Sequence, residues 1–194
     1  MSQKTQIKRD ILGDTQVVTG EVRLSYVNVF EPRKIGENDK DAKYSLTILI
    51  PKDTPEGQKT IADIKAAIQK AAEKGAQKHF GGRVPTNVSN TLKDGDIEVD
   101  DLGDLKNLKN PEIKGHMYMR LSTKFPPKVL NAQRQEIINP LEIYSGCYGR
   151  VSLTTFAYSG EGRRGVSAVL NNVLMTREGE PLVSRLTGDE FDLD

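Results

Sequence analysis

Tryptophan is absent and cysteine occurs once, as Cys147, so neither an intramolecular disulfide nor a cysteine-built zinc site is open to this chain. Histidine is nearly as scarce. His79 and His116 stand far apart, which leaves histidine-centred metal binding or acid–base catalysis little material. No apolar run approaches the roughly 20 residues of a membrane helix, and the opening MSQKTQIKRD lacks the apolar stretch of a secretory signal. Phosphate-cradling GxxxxGK[ST] and nucleophile-elbow GxSxG patterns are missing as well. These absences predict a cytoplasmic protein that is not an enzyme and takes no metal or cofactor.

What is present is one domain's worth of chain, 194 residues, with 28 bases almost cancelled by 27 acids. The average hides an asymmetry. Gly188 to Asp194 hold four acids and no base, so the remainder carries 28 bases against 23 acids. The expected organisation is a flexible start (1–16), a mildly basic domain (17–187) and an acidic tail (188–194).

Period-two alternation of apolar residues dominates, with one exception. Residues 54 to 79 read as an amphipathic helix: Thr54 caps, Pro55 suits the first position, and Ile61, Ile64, Ile68 and Ala71 or Ala72 recur at helical spacing until Phe80-Gly81-Gly82. Its lysines read as a solvated outer face. Strand-like runs fall at 17 to 30, 43 to 50, 115 to 125, 144 to 158 and 165 to 176. A mainly β fold follows: a small five-stranded barrel with one helix. The polar stretch 84 to 112 reads as an insertion, with a short hairpin around Lys93-Asp94-Gly95-Asp96.

Two runs sort their residues in the same way. In 144 to 158 one parity holds Cys147, Val151, Leu153 and Ala157, while the other holds Tyr144, Tyr148, Arg150, Phe156 and Tyr158. In 115 to 125, Met117, Met119 and Leu121 would point inward, and His116, Tyr118, Arg120 and Lys124 outward. Rings interleaved with cations suit an unpaired nucleic-acid strand, because bases stack on aromatics while Arg and Lys neutralise phosphates. The same strip also fits a second packed layer or a dimer interface. The turn Ser159-Gly160-Glu161-Gly162-Arg163-Arg164-Gly165 adds adjacent arginines where such barrels commonly hold their ligand. The loop from Glu31 to Asp41 also carries bases, Arg33, Lys34 and Lys40, mixed with acids.

Tyr144-Ser145-Gly146-Cys147-Tyr148-Gly149-Arg150, Phe156-Ala157-Tyr158, Leu170-Asn171-Asn172-Val173 and Gly179-Glu180-Pro181-Leu182 together resemble a family of bacteriophage single-stranded-DNA-binding proteins. The resemblance extends upstream through Val22-Arg23-Leu24-Ser25-Tyr26-Val27, Lys43-Tyr44-Ser45, Ile50-Pro51-Lys52, Lys93-Asp94-Gly95-Asp96 and Lys114-Gly115-His116, nearly the whole chain. It implies an OB-fold that protects single strands during phage DNA replication, recombination or repair in the host cytoplasm, often as a homodimer. Gly162-Arg163-Arg164-Gly165 and Ser167-Ala168-Val169 depart from that family's pattern. Another mismatch is the count of two strand runs before the helix, where three are usual.

The expected DNA-binding set is therefore Tyr118, Tyr144, Tyr148, Phe156 and Tyr158 for stacking, with Arg120, Lys124, Arg150, Arg163 and Arg164 for phosphates. The tail residues Asp189, Glu190, Phe191, Asp192 and Asp194 resemble acidic ends that recruit replication partners, and they can equally compete with DNA for a basic groove. Two other readings use the same residues. Asp100, Asp101, Glu112 and Lys114 superficially resemble a metal-dependent nuclease core, and a cold-shock-like barrel would present the same stacking surface to RNA.

Overall fold

A computed structural model describes residues 13–34, 41–86, 88–160 and 162–182. Its strands are β1 (Gln16–Val18), β2 (Val22–Arg33), β3 (Lys43–Pro51), β4 (Leu92–Asp94), β5 (His116–Thr123), β6 (Lys128–Leu130), β7 (Tyr148–Gly160) and β8 (Arg163–Arg177). One helix, α1 (Pro55–His79), follows β3. The expected first run, 17 to 30, splits: Thr19-Gly20-Glu21 break it, and Gly20 and Glu21 donate their N–H groups to Thr60 and Glu56 of the helix rather than to a ladder. β1 pairs only with β7, outside the closed ring, so two barrel strands, β2 and β3, precede the helix and the departure from the usual three stands.

Five of the strands close a ring in the order β2, β3, β5, β8, β7 and back to β2. All joints are antiparallel except β5 to β8, which is parallel and rests on a single pair, Ser122 with Val169. Alternation explains the interior: Leu24, Leu46, Ile48, Ile50, Met119, Leu121, Val151, Leu153 and Leu170 are buried in one cluster. Truncating any of these leucines to alanine would cost about 2–5 kcal/mol. The fold is the expected mainly β barrel with one helix.

Helix α1 forms because its ends and its stripe agree. The Thr54 hydroxyl accepts from the Gly57 N–H at 3.1 Å, Pro55 occupies the first turn, and the chain stops at Phe80 before Gly81 and Gly82. The stripe Ile64, Ala67, Ile68, Ala71 and Ala72 packs on the barrel, chiefly on β7, where the Thr155 hydroxyl donates to the Ala67 carbonyl at 2.8 Å. On its outer side Lys59 pairs with Asp63, Lys70 with Glu73 and Lys74 with Asp14.

The insertion is more ordered than a loop. Leu92–Asp94 adds to the edge of β5 rather than making a hairpin of its own, and two 3-10 turns, Lys106–Leu108 and Pro111–Ile113, follow. Lys52, at the end of β3, binds both Asp94 at 2.7 Å and Asp96 at 2.5 Å. The hydrogen bond from Lys52 holds both carboxyls below their ordinary value. The insertion is thereby fastened to the barrel at the head of the helix.

Candidate nucleic-acid interface

The outward parity of β7 begins at Tyr148. Its ring lies beneath the Arg177 guanidinium, 3.5 Å from the ring centre, with Arg23 at 5.9 Å. Arg177 is itself held by Glu21 at 2.9 Å, and Arg23 donates to the carbonyls of Glu180 at 2.7 Å and Gly146 at 3.3 Å. The chain after β8 returns to this spot. A Cβ on Gly146, whose φ is +120°, would stand 2.1 Å from the Glu180 carbonyl oxygen, and one on Gly179 would stand 2.2 Å from the Gly146 oxygen. Only glycine permits that approach.

Tyr144 departs from expectation. It precedes β7, packs against the hydrophobic core, and donates its hydroxyl to the Gly179 carbonyl at 2.9 Å. Its ring serves packing, not an open strip. The reason is that residues 140 to 147 form a 3-10 turn and loop, so strand parity does not reach back to Tyr144. Cys147 is buried as expected, and burial pushes its thiol above the ordinary value.

The far end of β7 differs. Phe156 is 42% exposed, Tyr158 is half-buried, and the β7–β8 hairpin carries Arg163 and Arg164 into solvent opposite Gly160 and Ser159. Arg150, midway, is exposed while its Nε donates to the Thr19 carbonyl at 3.0 Å. On β5, Arg120 is exposed, Tyr118 is half-buried, and Lys124 is paired with Asp41. Burial, reinforced by nearby Glu98, raises the Tyr118 phenol above its usual value. Among the described residues no carboxylate forms an ion pair with Arg120, Arg150, Arg163 or Arg164.

The strip expected on two adjacent strands is not one strip. β8 lies between β5 and β7 on one side of the ring, and β2 with β3 on the other. What unites the two sets is a row across the strands. Phe156 opposes Ser167 on β8; Ser167 and Arg120 each stand two residues from the Ser122–Val169 pair that joins β8 to β5; Arg120 opposes Thr47 on β3, and Thr47 opposes Ser25 on β2. Ser25 and Thr47 point outward by parity yet are buried, so the outer face of β2 and β3 is covered at those two positions.

Composition and parity missed several residues. Arg23 and Arg177 were not singled out because a cation's partner ring is invisible before folding. Phe125, in the segment Lys124-Phe125-Pro126-Pro127-Lys128, is 79% exposed, and a ring between lysines and prolines is a signal that sequence reading can use. Tyr26 is 57% exposed at a positive φ of 48°.

The candidate nuclease residues do not assemble. Asp100 accepts from the backbone N–H groups of Leu102 and Asp104 and from Lys109, and the Lys109 hydrogen bond holds its carboxyl below the usual value. Among the described residues no three His, Cys, Asp or Glu side chains converge to hold a metal ion. Asp189, Glu190, Phe191, Asp192 and Asp194, like most of the loop from Glu31 to Asp41, lie outside the described residues.

Comparison with known proteins places this geometry. The family model described as Enterobacter phage Enc34, ssDNA-binding protein, matches residues 15–194. The chain is similar to the single-stranded DNA-binding protein from bacteriophage Enc34 in complex with ssDNA, with 27% identity and a TM-score of 0.69 over 86% of this chain and 89% of that one. Against another structure of the Enc34 protein the identity is 25% and the TM-score 0.68, over 93% and 90% of the two chains. Gp2.5, a single-stranded DNA-binding protein encoded by bacteriophage T7, shares the fold, at 12% identity and a TM-score of 0.58 over 92% of this chain and 94% of that one. No protein in the curated collection matches. With nearly its whole length matched, the chain belongs to the phage single-stranded-DNA-binding family typified by Enc34.

Proposed function

We propose that this protein binds single-stranded DNA without sequence preference and does no chemistry on it. The observation that carries the reading is the grouping of exposed cations and rings on the β7–β8 hairpin and β5: Arg120, Arg163 and Arg164 with Phe156 and the half-buried Tyr158. Such rings accept any base, since every base has a π-face, and each stacked base contributes about 1–3 kcal/mol. Arginines supply a sequence-independent attraction that falls with salt. Strands β3 and β5 and the β7–β8 hairpin also correspond to the barrel face and loop with which OB-folds hold oligonucleotides. The solved Enc34 relative in complex with ssDNA supports the same reading.

Arg150 and Lys124 extend the basic surface, Lys124 once it leaves Asp41. Tyr118 and Tyr148, like Tyr158, are stacking residues of lower reach than Phe156, because all three are half-buried. In the cell the protein would protect single strands in phage replication, recombination and repair, in the host cytoplasm. Its tail, through Phe191 and the surrounding carboxylates, would recruit replication partners or occupy the basic groove when DNA is absent. Homodimer formation belongs to the same reading.

A titration of fluorescent oligo-dT at several salt concentrations, on the full chain and on a chain ending at residue 187, tests all of this. Retardation with a negative slope of log affinity against log salt is expected, together with tighter low-salt binding once the tail is gone. Unchanged affinity without the tail removes the competition idea, and absence of binding at low salt removes the function. Competition between poly-dT and poly-U separates DNA from RNA as the ligand.

A further inference from the structure

The inner parity of β2 shifts midway. Val22 and Leu24 face the core at even positions, whereas Val27 and Val29 pack inward at odd ones. One residue must be absorbed between them, and the register with β3 duly slips between Ser25 and Asn28. Tyr26 sits in that slip. Continued alternation from Leu24 would drive its ring into the barrel; the left-handed conformation, φ 48°, turns it out instead. A tyrosine there carries a strain of about 1–3 kcal/mol, which glycine or asparagine would largely relieve.

The ring does not turn outward to be covered. It stays 57% exposed, while its hydroxyl donates to Asn110 Oδ1 of the insertion at 3.0 Å. That bond holds the ring upright at the end of the cross-strand row, directly after Ser25. Arg120 stands two strands away across Thr47, and Phe156 two strands further across Ser167. Because the strands close a ring, the path from Tyr26 to Phe156 over β3, β5 and β8 curves around the barrel, with Arg120 midway along it.

Resting on the single-strand-binding reading above, we infer that Tyr26 is a base-stacking residue, two strands across from Arg120 and propped by Asn110.

Because the chain has no tryptophan, Tyr26→Trp provides a single reporter at this position. Titration with labelled oligo-dT, following oligonucleotide anisotropy and tryptophan emission together, gives separable outcomes. Rising anisotropy with strong quenching of the tryptophan is expected. Rising anisotropy with unchanged emission overturns the inference while leaving the function intact, and flat anisotropy in the unsubstituted chain sinks the function itself. Tyr26→Ala is expected to lower affinity about 5- to 150-fold, the range of one lost base stack. Tyr26→Phe should recover most of that loss. If Tyr26→Phe is as weak as Tyr26→Ala, the hydroxyl bond to Asn110 matters and the ring does not, and the stacking role is wrong.

Discussion

Strand β7 carries tyrosines or phenylalanine on its outward parity at both ends, and the two ends meet opposite fates. At the start, Tyr148 lies beneath Arg177 and against the backbone of Gly179. At the finish, Phe156 and Tyr158 flank a hairpin whose arginines reach into solvent. Parity sorts a residue to the inside or outside of a barrel, but it does not say whether a later segment will come back to cover the outside. Here residues 177 to 182 return to one end, tied by Arg23 and Tyr144 to the carbonyls of Glu180 and Gly179. Two cations that resemble nucleic-acid contacts become braces there.

The largest effect that would sharpen this contrast is expected from Gly146→Ala. The added methyl meets the Glu180 carbonyl at a φ that alanine resists, so about 3 kcal/mol or more of stability should be lost. Thermal denaturation would then show a melting temperature lower by about 6–12 °C, with oligo-dT affinity of the folded protein little changed. A loss of affinity without a loss of stability would mean that the covered end binds DNA after all.

Next in size is the charge reversal Arg163→Glu with Arg164→Glu. Both side chains are exposed, so the melting point should stay within about 2 °C. If each meets one phosphate, the slope of log affinity against log salt should shrink by about 1.4. An unaltered slope removes the hairpin from the track.

Single rings come third. Phe156→Ala should weaken oligo-dT binding by about 1–3 kcal/mol at nearly constant stability. Tyr148→Ala should do the reverse, lowering the melting temperature more than the affinity. Measuring both quantities on both variants tests the comparison directly, because exchanged results would break it.

The smallest effect lies away from both ends, in the Lys52 triad. Asp94 and Asp96 have folded pKa values below the ordinary 3.8, owing chiefly to the hydrogen bond from Lys52. Their stabilising contribution is therefore complete above that value and fades as pH falls through the lowered pKa. Partial exposure keeps it small. Denaturant midpoints measured from pH 5 to pH 2 should fall slightly less steeply for Asp94→Asn than for the parent chain.

Much of the fold was legible in the residues. The stripe of α1, its Thr54-Pro55 start and the alternation of β3, β5, β7 and β8 are local signals, and each element formed within a few residues of expectation. Strand adjacency was not legible, because the parallel joint of β5 to β8 joins segments far apart in sequence and places β8 between the two aromatic strands. Tyr144 was misread because the alternation was carried past the true start of β7. Tyr26 was within reach: Val22 and Leu24 at even positions and Val27 and Val29 at odd ones cannot share one face without an extra residue between them. Which cations would be sequestered was beyond sequence reading, since Glu21 and Asp41 meet Arg177 and Lys124 only after the barrel has closed.

The joint between β5 and β8 has one further consequence. A ladder of one rung resists separation far less than the long antiparallel pairing of β7 with β8, and Asn90 already takes the place of a β5 neighbour beside Val166. The wall between Arg120 and Ser167 is therefore held by fewer main-chain pairings than any other joint of the ring.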